Sequence, residues 1–405
     1  AYRRQRQMCI RDRYCIAPFV HLYQHNSKLD DRVCCISKIL NTPTDTDIKT
    51  KWSSDYYKDI RQRMLTPGSK LPECTDCIEL EKKNTTSDRQ HFAERFKDYD
   101  LEYNIDTGTQ YNKPIDFDLR PGNLCNLGCR MCSPVSSSQL SKEFKNNKED
   151  FYKVYQKDRG EYKFYVDYED GCDWDYEENL QYIGQSLLTG KTNRIKFLGG
   201  EPTIMPGVLS LMDFMIDHNL TDTELFFTTN CTNENKKFME KLNKFKNLHF
   251  HFSIDGINKT LEYIRWPANW RKVNDNIQTF SKHKAECNIT IQAYNIHNLK
   301  DFLYWVKSLN TVGLNTVELT QPRWFSYTVL PLDYRNKYLE QLYTDPIMNW
   351  SVASESNLKA RVETMLNNSV VHNTDLFVQH TKTFDKVRKQ YIGDYIPELE
   401  TIVYG

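Results

Sequence analysis

The chain is expected to be an α/β protein: a partial (β/α)6 TIM-like barrel, preceded by a cysteine-rich module and followed by a helical cap. Two observations carry this. From residue 114 onward six short β-like runs alternate with helix-length amphipathic stretches, and such long connections between strands imply crossovers and a parallel sheet. The cysteines gather in tight groups before and just inside that region instead of being scattered.

Residues 1–13 carry five arginines and one aspartate, so this tip is +4 and the remainder −4. The tip has no apolar segment of the kind a secretory signal needs. It reads as a non-native or disordered leader, and Cys9 is set aside with it. Residues 14–105 form the cysteine-rich module. Pro67-Gly68 and Pro72 mark turns, and Trp52 to Met64 has the spacing of an amphipathic helix. No long apolar run lets this module build a large core alone, so metal cross-links would have to compensate.

Residues 114–325 form the barrel. Its expected strands are Ile115–Leu119, Arg194–Leu198, Glu224–Thr229, Leu248–Ile254, Asn288–Tyr294 and Thr316–Thr320. The helix-like segments between them include Val208–Asn219, Glu234–Phe245, Asn269–Lys284 and Asn298–Leu309. The first crossover is too long, and residues 140–190 read as an insertion or lid, with Phe151–Tyr182 dense in Tyr, Asp and Glu. Residues 326–405 are polar and helical, lack cysteine, and end in a Pro397-Glu398-Leu399 turn. They read as a cap on the barrel.

Composition narrows the classes. Hydrophobic residues make up 39% and charges balance at 54 against 54. No stretch approaches 18 apolar residues, so no membrane-spanning helix is expected. Zero net charge offers no general attraction to nucleic acid or a membrane surface. Twelve cysteines, clustered in a chain without an export signal, favour metal ligation over disulfides and a cytoplasmic location.

The sharpest motif is Cys125-x3-Cys129-x2-Cys132, directly after the first expected barrel strand. Three thiolates are one short of a closed zinc or [4Fe–4S] site, which leaves one iron of a cluster open to a small molecule. A zinc knuckle completed by a remote ligand is the alternative. Ser133 can cap a following helix, with Pro134 in its first turn.

The second expected strand runs into Gly199-Gly200-Glu201-Pro202. Its glycines allow a close backbone approach to a ligand, and its carboxylate can accept hydrogen bonds from an ammonium group. Two later strand ends carry Thr228-Thr229-Asn230 and Ser253-Ile254-Asp255-Gly256. Arg265 could reach a carboxylate there, or be a solvated surface charge. His249, His251 and Ser253 share one strand face, and Asn288, Thr290, Gln292 and Tyr294 another. A lumen lined this way suits a polar substrate. His251 is a pocket candidate or a satisfied core histidine.

In this order, the triplet and the strand-end series resemble the radical S-adenosylmethionine (SAM) superfamily over residues 114–325. The resemblance implies a [4Fe–4S] cluster on Cys125, Cys129 and Cys132 whose open iron chelates SAM. It implies SAM contacts from Gly199, Gly200, Glu201, Pro202, Asn230, Ser253 and Asp255. The implied reaction is reductive cleavage of SAM to a 5′-deoxyadenosyl radical that takes hydrogen from a peptide or small polar substrate. An external low-potential donor of the flavodoxin or ferredoxin type would supply the electron.

The early cysteines resemble a twitch or SPASM-type auxiliary module. Cys15, Cys34, Cys74 and Cys77, with Cys35 able to replace its neighbour, would hold one auxiliary [4Fe–4S] or [2Fe–2S] cluster. The module departs from that family by preceding the core, and by carrying Leu29-Asp30-Asp31 where a glycine turn is usual. A zinc ribbon on the same thiols stays open. His21 and His25 read as ordinary polar residues, and Cys172, Cys231 and Cys287 as buried small hydrophobes. No general acid or base stands out. Two other function classes stay open: a non-catalytic iron–sulfur carrier or sensor, and a zinc-scaffolded binding module.

Overall fold

The computed structural model describes residues 14–24, 32–38, 48–66, 68–82, 86–99, 107, 112–155, 176–233, 235–310, 312–350 and 358–405. The leader 1–13 with Cys9, His25, Leu29–Asp31, Pro67, and residues 156–175 of the insertion with Cys172 lie outside them. Seven strands form one all-parallel sheet in sequence order. They are β1 (His21–Gln24), β2 (Asp116–Leu119), β3 (Arg194–Phe197), β4 (Glu224–Thr229), β5 (Leu248–Ser253), β6 (Lys284–Ile291) and β7 (Val312–Glu318).

The expected (β/α) barrel strands are present, and an additional one precedes them. β1 comes from the cysteine-rich module and pairs in parallel with β2, His21 opposite Asp116. The module therefore supplies the sheet's first edge. β6 starts at Lys284, inside what the sequence suggests is still helix, and ends at Ile291. Gln292 and Tyr294 fall beyond it, and Tyr294 is buried with its hydroxyl 2.7 Å from Thr381. These two do not extend the polar strand face as expected.

Alternation divides the sheet into two chemistries. Leu22, Phe117, Ile195, Phe227, Phe250, Cys287 and Leu314 are buried on the apolar face. Phe227 stacks between Phe197 (5.4 Å between ring centroids) and Phe250 (5.8 Å), and Phe250 continues to Phe280 of the helix Trp270–Phe280. That helix is capped by Asn269, whose side chain accepts from the Lys272 amide. The opposite face is polar. Arg194 pairs with Asp116 (2.8 Å), Lys196 with Asp118 (3.4 Å) and His251 with Glu286 (3.1 Å). Asn315 donates to Asn288 at 2.7 Å.

Beyond the sheet the chain is helical, as expected, with Leu332–Tyr343, Leu358–Asn367 and Thr374–Arg388 the long elements. Thr374–Arg388 packs on the cysteine loop through two buried arginine pairs. Arg130 reaches Asp385 at 2.7 Å, and Arg388 bonds both Glu143 and the Gly128 carbonyl. Among the described residues no helix is long and apolar enough to cross a membrane.

Candidate functional site

The loop carrying Cys125, Cys129 and Cys132 leaves the carboxyl end of β2 without regular structure. Hydrogen bonds from three directions fix it. On one side the Gly200 amide donates to Gly122 O (3.2 Å) and the Glu201 amide to Leu124 O (2.8 Å). On another, the Gly128 and Arg130 amides donate to Trp266 O and Ile264 O, at 2.7 and 2.9 Å. On the third, Ser137 donates to Leu127 O and Ser138 to Cys125 O. The helix after the loop is Ser138–Asn146, and Ser137 caps it by accepting from the Leu140 amide. Ser133, the expected cap, instead precedes the short 3-10 turn Pro134–Ser136 and makes no side-chain cap.

The glycines of Gly199-Gly200-Glu201-Pro202 serve this contact. A Cβ on Gly200 would stand 2.2 Å from Leu124 O. Gly199 holds a φ of +116°, and its Cβ would stand 2.6 Å from Gly122 O. The close approach they permit is to the cysteine loop, where the sequence suggested a ligand.

Glu201 is fully buried. Its Oε1 accepts from the Thr203 amide (3.2 Å), the Thr203 hydroxyl (2.6 Å) and the Thr229 hydroxyl (2.8 Å), and its Oε2 from the Asn230 amide (2.7 Å). Burial pushes its pKa up even against those donors. Each carboxylate oxygen has about two lone-pair directions, and Oε2 receives one donor, so one direction on Oε2 stays open. The side chain thus ties the end of β3 to the end of β4. Asn230 then points at the cysteine loop, with Nδ2 3.0 Å from Asn126 Oδ1 and 4.0 Å from Cys125 Sγ.

After β5, Asp255 is buried, accepts from the Thr290 amide at 2.8 Å and pairs with Arg265 at 2.7 Å. Arg265 is 8% exposed and its Nη1 lies 3.9 Å from Cys129 Sγ. The surface-charge reading of this arginine is therefore overturned: a buried carboxylate and the thiols hold it in. Ser253 ends β5 half-buried. The Thr228 hydroxyl on β4 is buried without a partner, as is Arg265 Nε. Both are polar groups of the kind a ligand satisfies.

Burial pushes all three loop thiols up, Cys132 to about 12. Such thiols become ligands when a bound metal supplies the positive charge. Among the described residues no three cysteine sulfurs lie within 4.8 Å of one another. Three thiols supply three of the four ligands that a zinc ion or a [4Fe–4S] cluster takes, so the donor set fits such a centre with one position left over.

In the module, Cys15, Cys34, Cys74 and Cys77 line one cavity together with apolar Ala17, Val33, Met64 and Phe92. Burial raises these thiols too, Cys15 and Cys74 to about 12. Cys35 does not line this cavity. The charges acting on Cys35 are those of Asp118, Lys196 and Arg120 on the sheet's polar side and of Asp88, which lines the cavity. His21 is buried, with Nδ1 2.5 Å from Asp116 Oδ2. Cys231 and Cys287 are fully buried, as expected.

Residues 119–309 match the family described as the Radical SAM superfamily. Among curated proteins nothing matches the chain. Similar solved structures include Streptococcus suis SuiB bound to S-adenosylmethionine, at 15% identity and a TM-score of 0.39, covering 84% of this chain and 67% of that one. Native anSMEcpe with bound AdoMet and Cp18Cys peptide is similar at 18% identity and a TM-score of 0.36, covering 55% of this chain and 57% of that one.

Proposed function

We propose, from the match of residues 119–309 to the Radical SAM superfamily, that the chain is a radical SAM enzyme that would bind a [4Fe–4S] cluster through Cys125, Cys129 and Cys132, with SAM at the open iron. When bound, the cluster and SAM supply a 5′-deoxyadenosyl radical that removes a hydrogen atom from the substrate. The carrying observation is the direct seating of the cysteine loop on Gly199–Pro202, two hydrogen bonds joining a three-thiol loop to a buried carboxylate turn.

Within this reading each strand end has a task. Glu201, held by Thr203, Thr229 and Asn230, keeps one oxygen direction for the SAM ammonium. Arg265, balanced by Asp255, offers its guanidinium to the SAM carboxylate and a positive charge beside the Cys129 sulfur. Asn230 and Ser253 hydrogen-bond the ribose side. The cap helix closes the loop from outside through Arg130 and Arg388 and keeps water from the sulfurs. The polar face of the sheet receives a polar substrate, either a peptide or a small metabolite. Cys15, Cys34, Cys74 and Cys77 hold a single auxiliary cluster in an apolar cavity, and a flavodoxin- or ferredoxin-type donor supplies the electron.

The test is electron paramagnetic resonance of the anaerobically reconstituted, reduced chain. Adding SAM should change the cluster signal of the wild type and leave that of the Arg265→Met, Asp255→Asn double variant much less affected. An unchanged wild-type spectrum at saturating SAM rejects the open-iron assignment.

A further inference from the structure

On the sheet's polar face, away from the cysteine loop, one ring nitrogen each of His249 and His251 and one oxygen of Glu286 lie within 4.8 Å of one another. The strands themselves place them. His251 sits opposite Glu286 in the β5–β6 register, with Nε2 3.1 Å from Oε2. His249 is two residues earlier on the same face, and Phe226 packs edge-on against both rings, at 4.2 and 4.4 Å. Nitrogen and oxygen ligands about 2.0–2.2 Å from a metal ion stand roughly 3–3.6 Å from each other. The three atoms therefore need only small side-chain movements to close on one ion.

A second observation points to a ligand independently. His249 is 7% exposed, and its Nε2 is buried with no hydrogen-bond partner. Its other nitrogen, Nδ1, lies 3.3 Å from Glu224 Oε1, while Arg95 holds Glu224 Oε2 at 2.7 Å. A carboxylate anchored on one ring nitrogen fixes the tautomer and leaves the lone pair on the other, which is how metal-ligating histidines are oriented. A buried lone pair without a donor is otherwise a cost with no return. The side chains of His251 and Glu286 are 20% and 25% exposed, so the ion's remaining position faces solvent in the lumen. A polar groove lies at the amino ends of the strands, with Glu224, Lys284 and Leu248, the neighbour of His249, in its wall.

We propose that His249, His251 and Glu286 bind one divalent transition-metal ion, with Glu224 orienting His249 and one coordination position open to water or an oxygen donor in the lumen. The two-nitrogen, one-carboxylate set suits zinc with an open site, and zinc is the probe. The site shares no ligand with either cysteine set.

The experiment uses the full chain with its iron–sulfur centres assembled under anaerobic conditions, exposed to zinc sulfate and desalted. Elemental analysis should find about one zinc per chain. Zinc K-edge absorption should show only nitrogen and oxygen neighbours near 2.0–2.1 Å, the distances such ligands give. The His249→Gln, His251→Gln double variant should lose at least ten-fold in zinc affinity with unchanged iron content and circular dichroism. Glu224→Gln, which touches no metal, should weaken zinc by roughly 10–100-fold through His249. Sulfur neighbours near 2.3 Å, absence of retained zinc, or zinc retained in the double variant would each overturn the proposal. An unaffected Glu224→Gln chain would overturn the orienting role.

Discussion

Gly200→Ala isolates the contact on which the cysteine loop rests. The added Cβ would meet Leu124 O at 2.2 Å, the Leu124 carbonyl carbon at 2.6 Å and that of Asn123 at 2.7 Å, all of them backbone atoms with no rotamer to yield. Gaining even a 3.0 Å separation requires turn and loop to part by about 0.8 Å. That stretches the Glu201 amide's bond to Leu124 O from 2.8 Å to about 3.6 Å, beyond hydrogen-bonding range. The Gly200–Gly122 bond, already 3.2 Å, goes with it. Two lost hydrogen bonds cost about 1–3 kcal/mol. Keeping them and accepting the overlap costs about the same in packing strain. Urea denaturation of the apo chain under reducing anaerobic conditions should therefore show about 1–3 kcal/mol of lost stability, and reconstitution should yield less iron. Gly190→Ala is the control, since its Cβ meets nothing within 4 Å and only its φ of +67° is strained. It should cost about 1–2 kcal/mol from the left-handed backbone and leave iron content intact. A Gly200→Ala chain with both stability and iron content at wild-type levels refutes the reasoning.

Further expectations concern packing, charge and the module. Asp385→Ala should destabilise the chain by about 3–5 kcal/mol, because it strands Arg130 as a buried charge and removes the partner of the Tyr263 hydroxyl and the Ile392 amide; loss under 1 kcal/mol in urea would contradict the pairing. For Asp116, burial opposes ionisation, but Arg194 and His21 outweigh it and hold the carboxyl below its ordinary 3.8. A depressed folded pKa stabilises above the unfolded value, so the wild type's advantage over Asp116→Asn should be full above about pH 5 and shrink as pH falls through 3.8 and below. Equal pH dependence in the two chains would contradict this. In iron analysis the wild type should carry about eight irons, or six with a [2Fe–2S] auxiliary centre. Cys34→Ala should lose the auxiliary share and Cys35→Ala none, and the reverse result would exchange the two cysteines' roles.

The sequence was most readable where chemistry repeats along the chain. Crossover lengths and apolar alternation located β2 to β5 and β7 to within a few residues, and the cysteine triplet and glycine–glutamate turn fell at strand ends as expected. β1 escaped because four residues, two of them facing the polar side, carry almost no periodic signal. The start of β6 escaped because Lys284 reads as the end of the preceding helix and Glu286 carries no strand signal of its own; both become strand residues through pairing with His249 and His251. That same misplacement hid Glu286 as a neighbour of the two histidines. The partners that fix the site are distant in sequence: Thr229 lies 28 residues from Glu201, and Arg265 lies 136 from Cys129. No local pattern announces such contacts. Arg265 looked like surface charge for that reason, although burial between Asp255 and the thiols makes it part of the site.

Three thiols and the strand-end turn are proposed to make a SAM-cleaving centre. Its most direct test is to incubate the anaerobically reconstituted, reduced chain with SAM and quantify 5′-deoxyadenosine by mass spectrometry, beside Cys129→Ala. The wild type should form 5′-deoxyadenosine and methionine in equal amounts, and the variant should form neither above background. Full product from Cys129→Ala, or none from a wild type carrying its complement of iron and sulfide, would contradict the claim.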